Sequence, residues 1–359
     1  MSDDEEFDQA EVPAGDAMDD DQRVASEFWD SSPEPSESAV DDDTVSDVEL
    51  PEPTLAIAGF WRRVLAFTVD MIPFAVVGMA LGLFFFEQLA NLGVWGRLLG
   101  FTLTLVYFGL FDSRLGHGQT LGKRLMHVRV VDRDGEPLGV LKAMARYTVL
   151  AVPIFMNQLM LPVSAIQGPI TYIISVLLFG LGGASLYLFI FNRRTRQSTH
   201  DLAVGSFVTS VESHGAVQGS IGRVHLVVVG TWLLLSSVAV LASGLLAAKI
   251  PSGLFRAIEA VEATGEVHSA SIFIGKSWNS NGEVTEYVTV NAILKHPISD
   301  PVGMTEELAL VVLKEFPEAR DVDFVDVKLT RGYDLGFASA WKRTGEYRAP
   351  EEWQSESPE

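Results

Sequence analysis

The chain has 359 residues, 48% of them hydrophobic, a formal net charge of −21 and no cysteine. The missing cysteines exclude disulfides, thiolate metal sites and cysteine nucleophiles. The charge is unevenly spread, because residues 1–54 hold 20 Asp/Glu against one Arg, whereas residues 55–248 hold 14 Lys/Arg against 8 Asp/Glu. The acidity therefore belongs to the front of the chain and not to the apolar middle.

Residues 1–54 are rich in Asp, Glu, Ser and Pro and show neither a helical nor a strand period. Such a segment buries too little apolar surface to offset its ordering entropy, so the reading is an acidic disordered tail. Val24, Phe28 and Trp29 are its one apolar patch, read first as part of an inert solvated tail and second as a short partner-binding motif. The start DDEEFDQAE carries no basic residue and no early apolar run, so the first long apolar run is expected to be an uncleaved span.

Residues 55–248 hold runs close to the roughly 20 apolar residues that cross a bilayer. Four are plain: 64–86, 94–111, 170–191 and 224–247. A fifth, 147–164, is weakened by Pro153, Asn157, Gln158 and Pro162, and is the least secure of the set. The fold class expected is an α-helical polytopic membrane bundle of about five transmembrane helices, with the lipid bilayer as its first partner. The connection 112–146 holds seven Lys/Arg and the connection 192–223 holds Arg193, Arg194, Arg196 and Arg223, whereas the other two loops hold only Arg97. Basic loops stay in the cytoplasm, which predicts a cytoplasmic N-terminus and an extracytoplasmic C-terminal region.

Between the second and third spans, the alternation LMHVRVV, the turn Asp134-Gly135 and the following EPLGV read as a β-hairpin at the membrane surface. The preceding GQTLGK is one residue short of a phosphate-binding loop and lacks a Ser or Thr after Lys123. Nucleotide binding is set aside on that ground.

Residues 249–350 read as a soluble α+β domain in the order α-β-β-α-β-β, an antiparallel sheet with helices on one face. It is expected to fold alone, with residues 351–359 frayed. Its mildly acidic composition argues against nucleic acid, which needs clustered Lys/Arg. His268 and His296 lack acidic neighbours at ligand spacing, and His200-Asp201 after Ser198-Thr199 reads as a helix start. No catalytic constellation, metal site or cofactor site follows, so the chain reads as a non-enzyme. Protein partners are expected for the outer domain and the tail, and oligomer formation is left open.

Asp70 is the residue that stands out in the first span. It lies roughly 10 Å along the helix, where a carboxylate in hydrocarbon costs roughly 2.5–3.5 kcal/mol at the centre and less near the interface. Arg63 falls almost on the same face, and Arg146 enters the third span at a similar depth. The expectation is that Asp70 pairs with one of these two cations, either to fix packing or as an ion site. Gly78-x-x-x-Gly82 in the same span reads as internal close packing.

Arg63-x-x-Ala66-x-x-x-Asp70, then Asp112, GQTLGKR, VRVVDRDGEP, Arg146 and NRRTRQSTHDLAVGSFV occur in an order that resembles the RDD family over about residues 59–211. The family is named for an arginine and two aspartates; by position Arg63 and Asp70 match two of these, and Asp112 or Asp201 the third. The resemblance implies a bacterial or archaeal cell-membrane protein, with cation/proton exchange proposed for some members. The tail, the span at 224–247 and the C-terminal domain are additions to that pattern. They favour a membrane adaptor or scaffold over a transporter.

Overall fold

The structure, a computed structural model, describes residues 55–93, 95–159, 168–213, 215–217, 219–247 and 251–355. The chain divides into Met1–Pro51 and Glu52–Glu359, and every described residue belongs to the second unit. The tail assigned to residues 1–54, residues 160–164 of the third span and the last residues, 356–359, lie outside the described residues.

Among the described residues, three helices are long and apolar enough to cross a membrane. They are α1 (Phe60–Ala90), α5 (Pro169–Phe191) and α7 (Arg223–Gly244 by that criterion, helical on to Ala247). Their outward faces carry bare apolar side chains, among them Met79, Leu83 and Phe84 of α1 and Val224, Leu234 and Leu241 of α7. In water such faces would be expelled into an interior, whereas a bilayer is their natural solvent. Two shorter helices, α2 (Trp95–Phe111) and α4 (Val140–Met156), are each 17 residues long.

The third segment differs from expectation. Its helix starts at Val140, seven residues before the predicted 147, and ends at Met156. Asn157 and Gln158 terminate it instead of lying inside, and Gln158 has a positive φ of 58°. Lys142 and Arg146 thus sit within the helix, and Arg146 can do so because it is fully paired, as described below.

α5 contains a π-helical stretch, Val176–Leu181. Trp232 of α7 packs across Gly183 and its indole N–H donates to the Phe179 carbonyl at 3.0 Å. One looser turn is thereby given a donor from the neighbouring helix.

The surface hairpin predicted from VRVVDRDGEP is not formed. Asp132 makes the turn, accepting from the Asp134 and Glu136 amides at 3.0 Å each. The strand before it, β1 (Val128–Val131), pairs instead with β2 (Phe207–Ser210), antiparallel from Val128↔Ser210 to Val131↔Phe207. This two-stranded sheet joins the connection after α2 to that after α5, and short helices α3 (Leu121–Leu125) and α6 (Thr199–Val204) flank it.

The C-terminal region has the predicted element order: α8 (Ser252–Glu262), β3 (Val267–Trp278), β4 (Val284–Leu294), α9 (Pro301–Glu315), β5 (Phe324–Asp334) and β6 (Ser339–Arg348). The sheet is mixed, not antiparallel, because β4 and β5 run parallel between the two outer hairpins. A helix between two strands carries the chain back to the end it left, so the strand after it enters in the same direction. Val288, Val290 and Ala292 of β4 and Val325, Val327 and Leu329 of β5 meet Ala257, Val261, Leu308 and Val312 of the helices in one buried core. The expected fraying beyond residue 350 also needs correction. Pro350–Ser355 form helix α10, whose buried Trp353 donates to the Val325 carbonyl at 3.2 Å.

Candidate functional site

Asp70 is fully buried, but no cation reaches it among the described residues. Oδ1 accepts from the Tyr107 hydroxyl and the Gly122 amide, each at 2.8 Å, and Oδ2 accepts from the Thr120 hydroxyl at 2.5 Å. The expected pairing of Asp70 with Arg63 or Arg146 is therefore corrected. The physical reason is that both arginines are taken by other carboxylates, while the loop after α2 folds back and supplies neutral donors.

That loop gives GQTLGK its role. Thr120 caps α3 by accepting from the Lys123 amide, and its hydroxyl proton goes to Asp70. Gly122 lets α3 touch α1, for a Cβ there would lie 1.9 Å from the Ala66 carbonyl oxygen. Lys123 then extends to Asp112 at the end of α2. The motif is a fitting that seats a short helix against Asp70.

Beside it, five charges alternate in a buried chain. Lys123 pairs with Asp112, Asp112 with Arg146 at 2.8 Å, Arg146 with Asp201 at 2.8 Å, and Asp201 with Arg63 at 2.7 Å. Arg63 also donates to the Arg196 carbonyl and lies over the Phe189 ring. Asp201 is held by α6, where it completes a capping box with Ser198 and accepts from the Ser206 hydroxyl at 3.1 Å. Arg63, Asp112, Arg146 and Asp201 are thus brought into one cluster, with Asp112 and Asp201 sharing Arg146, while Asp70 stands beside it. Lys123, Thr120 and Tyr107 were missed as partners. Lys123 and Thr120 lie in GQTLGK, which was weighed for nucleotide binding and for the family resemblance but not as a source of partners for Asp70 and Asp112.

Burial alone would raise the Asp201 carboxyl, but His200, Arg146 and Arg63 beside it hold it well below the usual carboxylate range. Burial pushes the neighbouring His200 down to about 3, helped by Arg146, Arg63 and Lys123 and opposed by Asp201. At neutral pH His200 is thus uncharged, and the cluster is three cations against two carboxylates, with Asp70 the nearby third acid. Burial likewise lowers Lys123, with Asp112 opposing it. Isolated charges would be prohibitive here; alternation gives each one an opposite partner. Among the described residues no three His, Asp or Glu side chains form a group placed to hold a metal ion.

At the opposite end of α1 and α2 a second arrangement was not read from the sequence. The β5–β6 turn enters between the helices. A Cβ on Gly78 would meet Ala338 Cβ at 2.2 Å, one on Gly82 would meet the Tyr333 hydroxyl at 2.2 Å, and one on Gly100 would meet the Leu335 carbonyl oxygen at 1.8 Å. The four-residue spacings Gly78/Gly82 and Gly96/Gly100 clear a groove for a hairpin, a partner that the reading of Gly78-x-x-x-Gly82 as internal close packing did not identify. Arg97 clamps the turn, meeting Asp334 at 2.5 Å and donating to the Phe155 and Asn157 carbonyls. Arg331 of β5 meets Glu87 at 2.8 Å, and Tyr333 donates to the Gly78 carbonyl at 3.1 Å. The C-terminal region therefore has its own core, yet Tyr333, Leu335 and Phe337 are packed by α1 and α2. The signal in the sequence was apolar Leu335 and Phe337 at a turn, where solvent would favour polar residues.

The two arrangements meet through aromatic rings. Phe337 at the turn lies 5.2 Å from Phe74, Phe74 meets Tyr107 edge-on at 5.1 Å, and Tyr107 donates to Asp70.

No curated protein and no solved structure matches the chain. A family model does, described as the RDD family, over residues 57–205. The match contains Arg63, Asp70, Asp112, Arg146 and Asp201 and stops before α7 and the C-terminal sheet. Residues 57–205, which hold the buried Arg–Asp cluster, match the RDD family model, and with the apolar helices this is consistent with an RDD family membrane protein.

Proposed function

We propose that this chain is a membrane adaptor of the bacterial or archaeal cell membrane, in which a five-helix bundle, RDD-like in its first four helices, holds a C-terminal binding domain at a fixed height and orientation outside the cell. The observation that carries this reading is the β5–β6 turn seated in the groove of Gly78, Gly82, Gly96 and Gly100. Non-helical backbone at membrane depth is tolerated where protein surrounds it and its polar groups are paired. Here the Leu335 amide donates to the Ala338 carbonyl at 2.9 Å and the Gly336 amide to Asp334 Oδ1 at 2.7 Å. The saturated charge cluster also favours a static support, since each of its five charges already has an opposite partner. Protein partners of the domain and the acidic tail would complete the adaptor, and neither region is read as an enzyme.

One observation favours a second reading, cation/proton exchange at Asp70. It is a buried carboxylate with neutral donors only, so a proton or cation is a chemically reasonable visitor. Flux in proteoliposomes separates the two. The adaptor reading expects no cation-driven proton flux from the wild type, with reporters at Glu212 and Glu351 on opposite sides of the membrane. Flux that disappears in Asp70→Asn, in protein of unchanged abundance, would replace the adaptor with the exchanger.

A further inference from the structure

Where the C-terminal sheet meets the outer ends of α1 and α2 lies a cavity of about 350 Å³. Its walls come from both regions, namely the Ala90–Gly93 turn, Trp95 and Arg97 on one side and His268, Lys295, His296 and Trp341 on the other. Its volume falls in the range of ordinary small-ligand sites, which favour such junctions. Its chemistry is lopsided. The carboxylate on its wall is Asp334, already bound by Arg97 at 2.5 Å, which leaves two imidazoles and Lys295, whose ammonium donates to the Gly265 carbonyl at 2.7 Å, on the lining without acidic counterparts. His268 Nε2 is buried and has no hydrogen-bond partner among the described residues. An unpaired buried nitrogen is costly unless something else pairs with it.

We infer that this cavity binds an anionic phosphate group. Lys295 supplies the compact charge, His268 and His296 supply imidazole N–H donors, and the indoles of Trp95 and Trp341 form an amphipathic wall. A cation has no free carboxylate to bind there, and a wholly apolar ligand would leave His268 unpaired. Trp95, 66% exposed, begins α2, so the cavity sits where a transmembrane helix emerges at the headgroup level. The phosphate therefore belongs either to an anionic lipid headgroup or to a soluble phosphate ester. The inference rests on the membrane placement of the helices and is independent of whether the chain is an adaptor or an exchanger.

The test uses the full chain, purified in a zwitterionic detergent and melted with added phosphatidylglycerol, phosphatidylcholine or glycerol phosphate. Stabilisation by phosphatidylglycerol alone identifies a lipid headgroup; stabilisation by glycerol phosphate as well identifies a soluble ester. Loss of one charged hydrogen bond weakens binding by roughly tenfold or more, so Lys295→Ala and His268→Ala should each require about ten times more ligand for the same shift. Lys295 is exposed, so Lys295→Ala tests the site even if His268→Ala disturbs folding. No stabilisation by either phosphate, or an equal response of wild type and Lys295→Ala, would overturn the inference.

Discussion

At the end of the helical part that gathers Arg63, Asp112, Arg146 and Asp201, the segments are tied by charge; at the end that gathers Gly78, Gly82, Gly96 and Gly100, they are fitted by shape. The first end joins α1, α2, α3, α4 and α6 through ion pairs whose members would each be costly alone. The second end has ion pairs as well, Arg97 with Asp334 and Arg331 with Glu87, but its groove works by omission, since each absent side chain leaves room for a piece of hairpin. The difference teaches where each is fragile. A charge network fails when one member is removed, whereas a groove fails when something is added. The family match covers all of the first end and, at the second, the helix side of the groove with Glu87 and Arg97, but not the hairpin it receives.

The largest effect should come from breaking the network at its shared cation. Arg146→Ala leaves Asp112 with Lys123 alone and Asp201 with Arg63 alone, both still buried. A loss of about 3–5 kcal/mol is expected, as for a buried pair stripped of one partner. Denaturation in detergent measures it, and a change below about 1 kcal/mol would mean that the network is dispensable.

Gly100→Val should come next. Its side chain would meet the Leu335 carbonyl, which is backbone and cannot swing aside. Overpacking of this kind costs about 1–3 kcal/mol, and here the relief is to expel the turn. Protease sensitivity at Leu335–Ala338 should rise while Arg146 chemistry stays unchanged, so the two ends fail separately. Matched loss at both ends from either substitution would show one cooperative unit instead of two devices.

A smaller effect separates the ends by pH. His200 is held near 3 against an ordinary value of 6.5, so the unfolded chain takes up its proton first. Stability is then full above about pH 6.5 and falls as pH drops from there towards 3, with Asp201, also depressed, adding to the loss below its ordinary 3.8. His200→Gln should flatten the slope of melting temperature between pH 6.5 and 4. An unchanged slope would place the acid sensitivity elsewhere.

Much of this was legible from residue pattern. Runs of apolar residues marked α1, α2, α5 and α7 within a few positions, because a bilayer imposes length and composition directly on the sequence. The third helix was displaced because Arg146 looked like an interfacial flank; only the three-dimensional pairing with Asp112 and Asp201 shows why it can lie inside. The partners of Asp70 were hidden for a related reason. Tyr107, Thr120 and Gly122 are 37 to 52 residues away, and neutral donors leave no charge pattern to follow. In the C-terminal region, strand alternation marked every strand, but the sense of β5 depended on treating α9 as a crossover. The groove was least legible, since glycine spacing says that something approaches and not what.

The seating of the hairpin between the helices is the central claim, and the absence of native cysteine makes it directly measurable. Leu335→Cys places a lone thiol at the buried part of the turn without adding a side chain to the groove. In isolated membranes, the account predicts that this thiol resists a soluble maleimide and becomes reactive when Gly100→Val is added to expel the turn. A Leu335→Cys thiol that reacts freely in the otherwise unchanged chain would contradict it.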